Sequence, residues 1–181
     1  MKKFELTSEF VTNIFGKKLF RIKALVEFGD VEAGEFGGYV EKEENLSHDG
    51  DAWVYGNAEV YGNARVYGNA RVYGNAWVYG NARVCGDAEV CGDAEVCGDA
   101  EVYGNARVCG DARVCGDADY AYAHGFGSIN RTTTFFRIKG GGVGVRCGCF
   151  YGTLGEFREK VRKTHGDGKL AQEYLMLADL M

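Results

Sequence analysis

Ala52-Trp53-Val54-Tyr55-Gly56-Asn57 is followed without interruption by Ala58-Glu59-Val60-Tyr61-Gly62-Asn63 and Ala64-Arg65-Val66-Tyr67-Gly68-Asn69, and this run decides the fold. The unit is Ala-x-Val-(Tyr/Cys)-Gly-(Asn/Asp), and its valine recurs every six residues from Val54 to Val114. Tyr120 takes the next slot, and there the register ends. A period of six suits neither an α-helix nor a chain of hairpins. Read as a short strand, Ala-x-Val-x points Ala and Val to one face and x and Tyr/Cys to the other. Gly and Asn/Asp then turn the corner, because they tolerate positive φ. Three strands and three corners make a triangular coil of 18 residues, and eleven to twelve units give nearly four stacked coils. Coils spaced by about 4.8 Å form parallel sheets around a column of Val and Ala. Each buried Val contributes roughly 1.5–3 kcal/mol, but only when neighbouring coils cover it.

Outward positions form ladders eighteen residues apart. Trp53, Arg71, Glu89 and Arg107 lie on one face; Glu59, Trp77, Glu95 and Arg113 on the second; Arg65, Arg83, Glu101 and Asp119 on the third. Beside them run Tyr55-Tyr73-Cys91-Cys109, Tyr61-Tyr79-Cys97-Cys115 and Tyr67-Cys85-Tyr103, stripes apolar enough to read as half-buried surface or as a packing face. A homo-oligomer is expected from those stripes. Five of the seven cysteines occupy the one repeat position. They are read as free thiols, since in-register side chains point the same way and the compartment is taken as the reducing cytoplasm.

The flanks break the period. Residues 1–50 are expected to cap the first coil, with a strand at Lys18–Leu25 and Phe36, Tyr39, Val40 and Leu46 over the coil end. Residues 51–120 form the repeat body, and 121–181 a small α+β cap. There, Thr132–Ile138 and Val143–Phe150 read as a β-hairpin around Gly140-Gly141-Gly142. Thr153-Leu154-Gly155-Glu156 is a capping box that starts a helix, broken at His165-Gly166-Asp167-Gly168. A second helix runs from about Lys169, with Tyr174, Leu175, Ala178 and Met181 as its buried side.

The repeat resembles the hexapeptide-repeat proteins that form left-handed β-helices, and the left hand and a trimeric assembly are what that resemblance implies. The general rule for parallel crossovers favours the other hand. The flanks carry a second resemblance. Phe28-Gly29-Asp30-Val31, Glu43-Glu44-Asn45-Leu46-Ser47, Asn130-Arg131-Thr132-Thr133-Thr134-Phe135-Phe136-Arg137, Cys147-Gly148-Cys149-Phe150, Gly152-Thr153-Leu154 and Thr164-His165-Gly166-Asp167 are similar to the entry and exit of a hexapeptide-repeat family of bacteriophages and prophages. That family has no settled activity, so the resemblance implies a phage origin and a bacterial host cytoplasm rather than a reaction.

Charge and composition narrow the function. The net charge is −5, against bulk nucleic-acid binding, and no segment has the length of a membrane span. Residues 1–119 carry 12 Lys/Arg against 21 Asp/Glu, a net of −9, while 120–181 carry 9 against 5, a net of +4. Acyl transfer, the best-known activity on left-handed β-helices, needs a histidine base at a cleft. Only His48, His124 and His165 are present, and His124, just past the last coil, is the one catalytic candidate. No loop interrupts Asp51–Tyr120 to shape a substrate cleft. Three histidines so spaced offer no zinc centre, Cys147-x-Cys149 is too short for a zinc knuckle, and the corner aspartates read as turn formers rather than calcium ligands. No metal and no cofactor are expected.

The segment from Ser128 through Asn130, Arg131 and Thr132 to Arg137 gathers hydroxyls, an amide and arginines at a loop-to-strand junction. Arginine forks and loop N–H groups suit a phosphate. The leading expectation is therefore a non-enzymatic, self-associating β-helix module, structural or binding a small anion such as a nucleotide signal, which it would sequester. The alternative is an acyltransferase of the hexapeptide-repeat class.

Overall fold

Each repeat unit lays down a two-residue strand, and the strand eighteen residues later pairs with it in parallel. The computed structural model describes residues 1–127 and 131–181. Strands β1 (Phe4–Thr12), β2 (Lys18–Ala24) and β3 (Phe36–Val40) precede eleven short strands, β4 (Trp53–Val54) to β14 (Arg113–Val114). Then follow β15 (Tyr120–Phe126), β16 (Arg131–Arg137), β17 (Val143–Cys147), β18 (Phe150–Thr153), α1 (Leu154–His165) and α2 (Lys169–Asp179). The short strands stack into three sheets, ordered β3-β5-β8-β11-β14, β4-β7-β10-β13 and β6-β9-β12. The chain is a β-solenoid of about four turns with a two-helix C-terminal cap.

The alternation expected from the sequence is what closes the core. Every repeat Ala and Val from Ala52 to Val114 is 0% exposed. Rungs such as Arg71 N–H to Ala88 O (2.9 Å) and Tyr73 N–H to Val90 O (3.0 Å) satisfy the backbone between coils. The corners carry a side-chain ladder as well. Asn69, Asn75 and Asn81 donate from Nδ2 to the carboxylates of Asp87, Asp93 and Asp99 one coil on, at 3.0, 3.0 and 2.9 Å. At these corners the amide needs the acceptor below it, so Asn over Asp is bonding chemistry as well as turn formation.

Parallel pairing begins upstream of Asp51. Tyr39–Val40 pairs with Glu59–Val60, and Leu46 bridges Val66. These offsets are twenty residues, so two extra residues bulge out between Leu46 and Val54. Buried Asn45 bridges the gap in the ladder: its Nδ2 donates to Gly62 O (3.2 Å) and Ala64 O (2.8 Å), and its Oδ1 accepts from Lys42 N–H (2.9 Å). Lys3 pins the bulge by donating to Gly50 O (3.0 Å) and Ala52 O (2.9 Å), and burial lowers its pKa to about 8. The β1–β2 hairpin also covers Trp53, which sits on an outward ladder yet is 0% exposed. Phe4 and Phe28 meet its ring edge-on, with centroids 6.1 and 5.3 Å away. Phe15 at the hairpin tip lies against Tyr61 and Tyr79, which stack at 5.1 Å, so that stripe is largely covered by the chain itself. On the third face Tyr67 and Tyr103 stay exposed.

Two expectations need correction. The thiols of Cys91 and Cys109, and of Cys97 and Cys115, are joined as disulfides; Cys85, Cys147 and Cys149 are free. Coil stacking brings the paired Cα atoms to 4.5 and 4.3 Å, the first just inside and the second just below the usual disulfide range, and parallel side chains do not prevent the bond. The C-terminal hairpin is the middle of a four-stranded antiparallel sheet, β15-β16-β17-β18. The helices begin where the sequence places them. The Thr153 N–H donates to the Glu156 carboxylate (2.8 Å), and Thr153 Oγ1 accepts from the Glu156 N–H (3.3 Å). Tyr174 and Ala178 are buried, whereas Met181 is 46% exposed.

The four-stranded sheet seals the raw end of the solenoid. Thr134 Oγ1 accepts from Arg107 N–H (3.0 Å), Tyr151 Oη accepts from Asp111 N–H (3.1 Å), and Lys139 N–H donates to Asp111 O (2.9 Å). Tyr120 Oη donates to Glu101 O at 2.6 Å. Edge groups that would otherwise invite pairing are thereby occupied.

Candidate anion site at the C-terminal cap

Arg131, the first residue of β16, lies across the tight turn between β17 and β18. Gly148 in that turn has φ +58°, and a Cβ there would fall on the Arg131 guanidinium. The left-handed backbone favours glycine here, and its missing side chain leaves room for the arginine to lie against the turn. Among the described residues the Arg131 guanidinium forms no ion pair and no hydrogen bond, while its backbone joins the β15–β16 ladder opposite Phe126. It is the shared wall of two clefts.

The first cleft, of about 540 Å³, runs along the solenoid corner. Arg107, His124, Thr132 and Cys149 line it with Arg131, as do Asp87 and Glu89. Arg107 is neutralised by Glu89 at 3.0 Å. His124 Nδ1 is 2.8 Å from Thr132 Oγ1, so that ring nitrogen is occupied. The second cleft, of about 250 Å³, lies between the sheet and the two helices. Phe150, Phe157, Val161 and Tyr174 form its floor, and Arg131, Lys160 and His165 carry the basic groups. Phe157 and Tyr174 are 3% and 4% exposed and meet edge-to-face at 6.0 Å. His165 stacks on Tyr174 at 5.7 Å. No carboxylate lines this cleft among the described residues.

The structure places Arg131 and Thr132 of the expected anion set on one cleft, adds His124, which the sequence offered only as a catalytic candidate, and separates Arg137 from them. Arg137 closes the far end of β16 and pairs with Asp119 at 3.1 Å. Thr133 and Thr134 are buried, Thr133 donating to Cys147 Sγ (3.2 Å) and Thr134 holding the solenoid end, so only Thr132 of the threonine run reaches a cleft. Ser128 and Asn130 lie outside the described residues. Lys160, Thr164 and His165 were not among the sequence candidates. Of these only His165 had a signal, as part of the basic last turn of the first helix, which reads equally as helix-dipole pairing.

A larger hollow, of about 720 Å³, lies at the opposite end over Arg65, Tyr67 and Arg83. Its histidine is committed: His48 Nε2 meets Glu43 at 2.7 Å, Nδ1 accepts from Lys3 N–H at 3.1 Å, and the ring stacks on Phe4 at 4.4 Å. Glu43, Glu44 and Asp49 also line it, which opposes an anion there.

The coils place the chain among β-solenoid repeat proteins. The repeat family described as YdcK beta solenoid repeat matches residues 58–71, 64–80 and 100–116, all within the coils. No curated protein gives a significant match. No described helix is long and apolar enough to cross a membrane, and the described residues contain no cluster of three or more His, Cys, Asp or Glu able to hold a metal.

Proposed function

We propose that this chain is a non-enzymatic, self-associating β-solenoid module that binds a small anion against Arg131. The observation that carries the reading is a guanidinium with no acidic partner among the described residues, beside Lys160 and His165 in a cleft without carboxylates. A charge-assisted fork on a phosphate or carboxylate suits that arrangement. In this reading the solenoid is left-handed and of the hexapeptide-repeat class. The chain is phage-borne, acts as a trimer, and works by holding its ligand. The resemblance of its flanks and the uncovered Tyr67 and Tyr103 support those finer points.

Titration with inorganic phosphate, read by thermal unfolding, tests the binding. At a hundred-fold excess over Kd the stabilisation is about 2.7 kcal/mol, which for a chain of this size raises Tm by roughly 5–11 °C. Arg131→Ala abolishes the rise and leaves the ligand-free Tm within about 2 °C, since a partly exposed arginine without a partner contributes little. An Arg131→Ala protein that is stabilised as much as the wild type refutes the site. Light scattering that finds only the 19.8 kDa chain refutes self-association.

A further inference from the structure

We infer that the ligand of the Arg131 site is a monophosphorylated aromatic ring compound, with the ring in the smaller cleft and the phosphate on the guanidinium between the two clefts. The inference rests on the anion reading above and adds to it what the rest of the ligand must be.

Three features of the clefts lead there. The smaller one has an aromatic floor that is already rigid. Phe157 touches Phe150, Phe135 and Tyr174 at centroid distances of 5.5, 6.1 and 6.0 Å, and its own surface is nearly all buried. A flat apolar group meets this floor at its half-buried member, Phe150, with Phe157 and Tyr174 fixed behind it, so little binding energy is lost to induced order. The volume of about 250 Å³ is below the usual range for drug-sized ligands and suits a ring rather than a chain or a macromolecular segment.

The cations stand at the edge of that floor. Lys160 and His165 come from α1, and Arg131 from the opposite side. An anionic group attached directly to the ring, or through a short linker, reaches them while the ring stays on the aromatics.

The larger cleft sets a limit on charge. Across Arg131, the ligand's remainder meets Thr132 and Asn105, which bond hydroxyls, and Asp87, whose carboxylate is held by the Asn69 amide at 3.0 Å but by no cation among the described residues. A second or third phosphate extending that way faces the Asp87 carboxylate and is repelled by it, while Arg107, already paired with Glu89, offers no free charge to offset this. Uncharged hydroxyls are accepted. Selectivity for one phosphate over several follows from these acids, and a site built only from Arg131, Lys160 and His165 would show the opposite order.

Calorimetric titration of the full chain separates these steps, with inorganic phosphate, phenyl phosphate, a purine nucleoside 5′-monophosphate and the matching triphosphate as probes. Phenyl phosphate and the nucleoside monophosphate are expected to bind about ten-fold tighter than inorganic phosphate, the effect of one ring laid on an aromatic surface. The triphosphate is expected to bind more weakly than the monophosphate. Asp87→Asn narrows that gap, and Lys160→Ala weakens all four probes. Arg137→Ala, remote from both clefts, changes none of them. Equal affinity for inorganic and phenyl phosphate overturns the aromatic part and leaves the anion site standing. A triphosphate that binds tighter than the monophosphate overturns the single-phosphate assignment. Absence of binding by all four overturns the anion site itself, and the inference with it.

Discussion

Two glycine-to-alanine substitutions at equivalent corners should differ in cost, because only one corner is pressed against the next coil. Gly56 and Gly74 both have left-handed backbones, φ +60° and +76°. Alanine in that region costs roughly 1–2 kcal/mol at either site. At Gly56 a Cβ would meet one atom, Gly74 O at 3.8 Å, an ordinary contact. At Gly74 it would meet Gly92 N, O and Cα at 3.0, 3.1 and 3.3 Å. All three are backbone atoms, and Gly92 O already accepts the Asn75 N–H at 2.9 Å, so the neighbour cannot turn aside without loosening a rung. Overpacking of this kind adds about 1–3 kcal/mol. The expected destabilisation is therefore about 1–2 kcal/mol for Gly56→Ala and about 2–5 kcal/mol for Gly74→Ala. Urea unfolding followed by far-ultraviolet circular dichroism measures both, with unchanged m-values required before midpoints are compared. Equal losses at the two positions would show that turn geometry alone sets the cost, and would refute the contact argument.

Titration of the denatured, unreduced protein should find three thiols, Cys85, Cys147 and Cys149, and seven after reduction; seven before reduction would refute the stapling of the later coils. Alkali should destabilise the fold through its tyrosines. Burial, and then a hydrogen bond donated to Asp30 at 3.1 Å, push Tyr55 up to about 12, and burial likewise raises Tyr61, Tyr73, Tyr79 and Tyr120. The folded state keeps these protons where the unfolded chain, with phenol pKa near 10, gives them up. Their stabilisation is whole below about pH 10 and declines as pH rises above it, the share from Tyr55 being lost as pH passes about 12. Phenolate absorbance should lag behind that of free tyrosine until unfolding begins, and simple titration of every phenol near pH 10 with the fold intact would contradict this.

Spacing alone carried the coil. A valine every six residues with alanine two before it and glycine two after it permits few other arrangements, since only a triangular stack buries the small face and turns at every glycine. The capping box at Thr153 and the break after His165 were equally local and equally legible, because each depends on neighbours within a few residues. What the sequence could not locate were contacts between distant segments. Nothing local says that Asn45 substitutes for a rung, that Trp53 lies under Phe4 and Phe28, or that β15 and β18 flank the hairpin. Cys91 and Cys109 show the same boundary. Their ladder was readable from the period, but their bonding depended on a Cα separation that only stacking sets. The candidate site divides in this way too. Arg131 and Thr132 are adjacent in sequence and so are suspected together, whereas His124, Lys160, Thr164 and His165 join Arg131 only through the folding of β15 and α1 against the sheet. Periodicity is a property of neighbours along the chain and survives in a string of letters. A cleft is a property of neighbours in space, and here the packing of Phe157 and Tyr174 against Phe135 and Val145 brings its basic groups to one place.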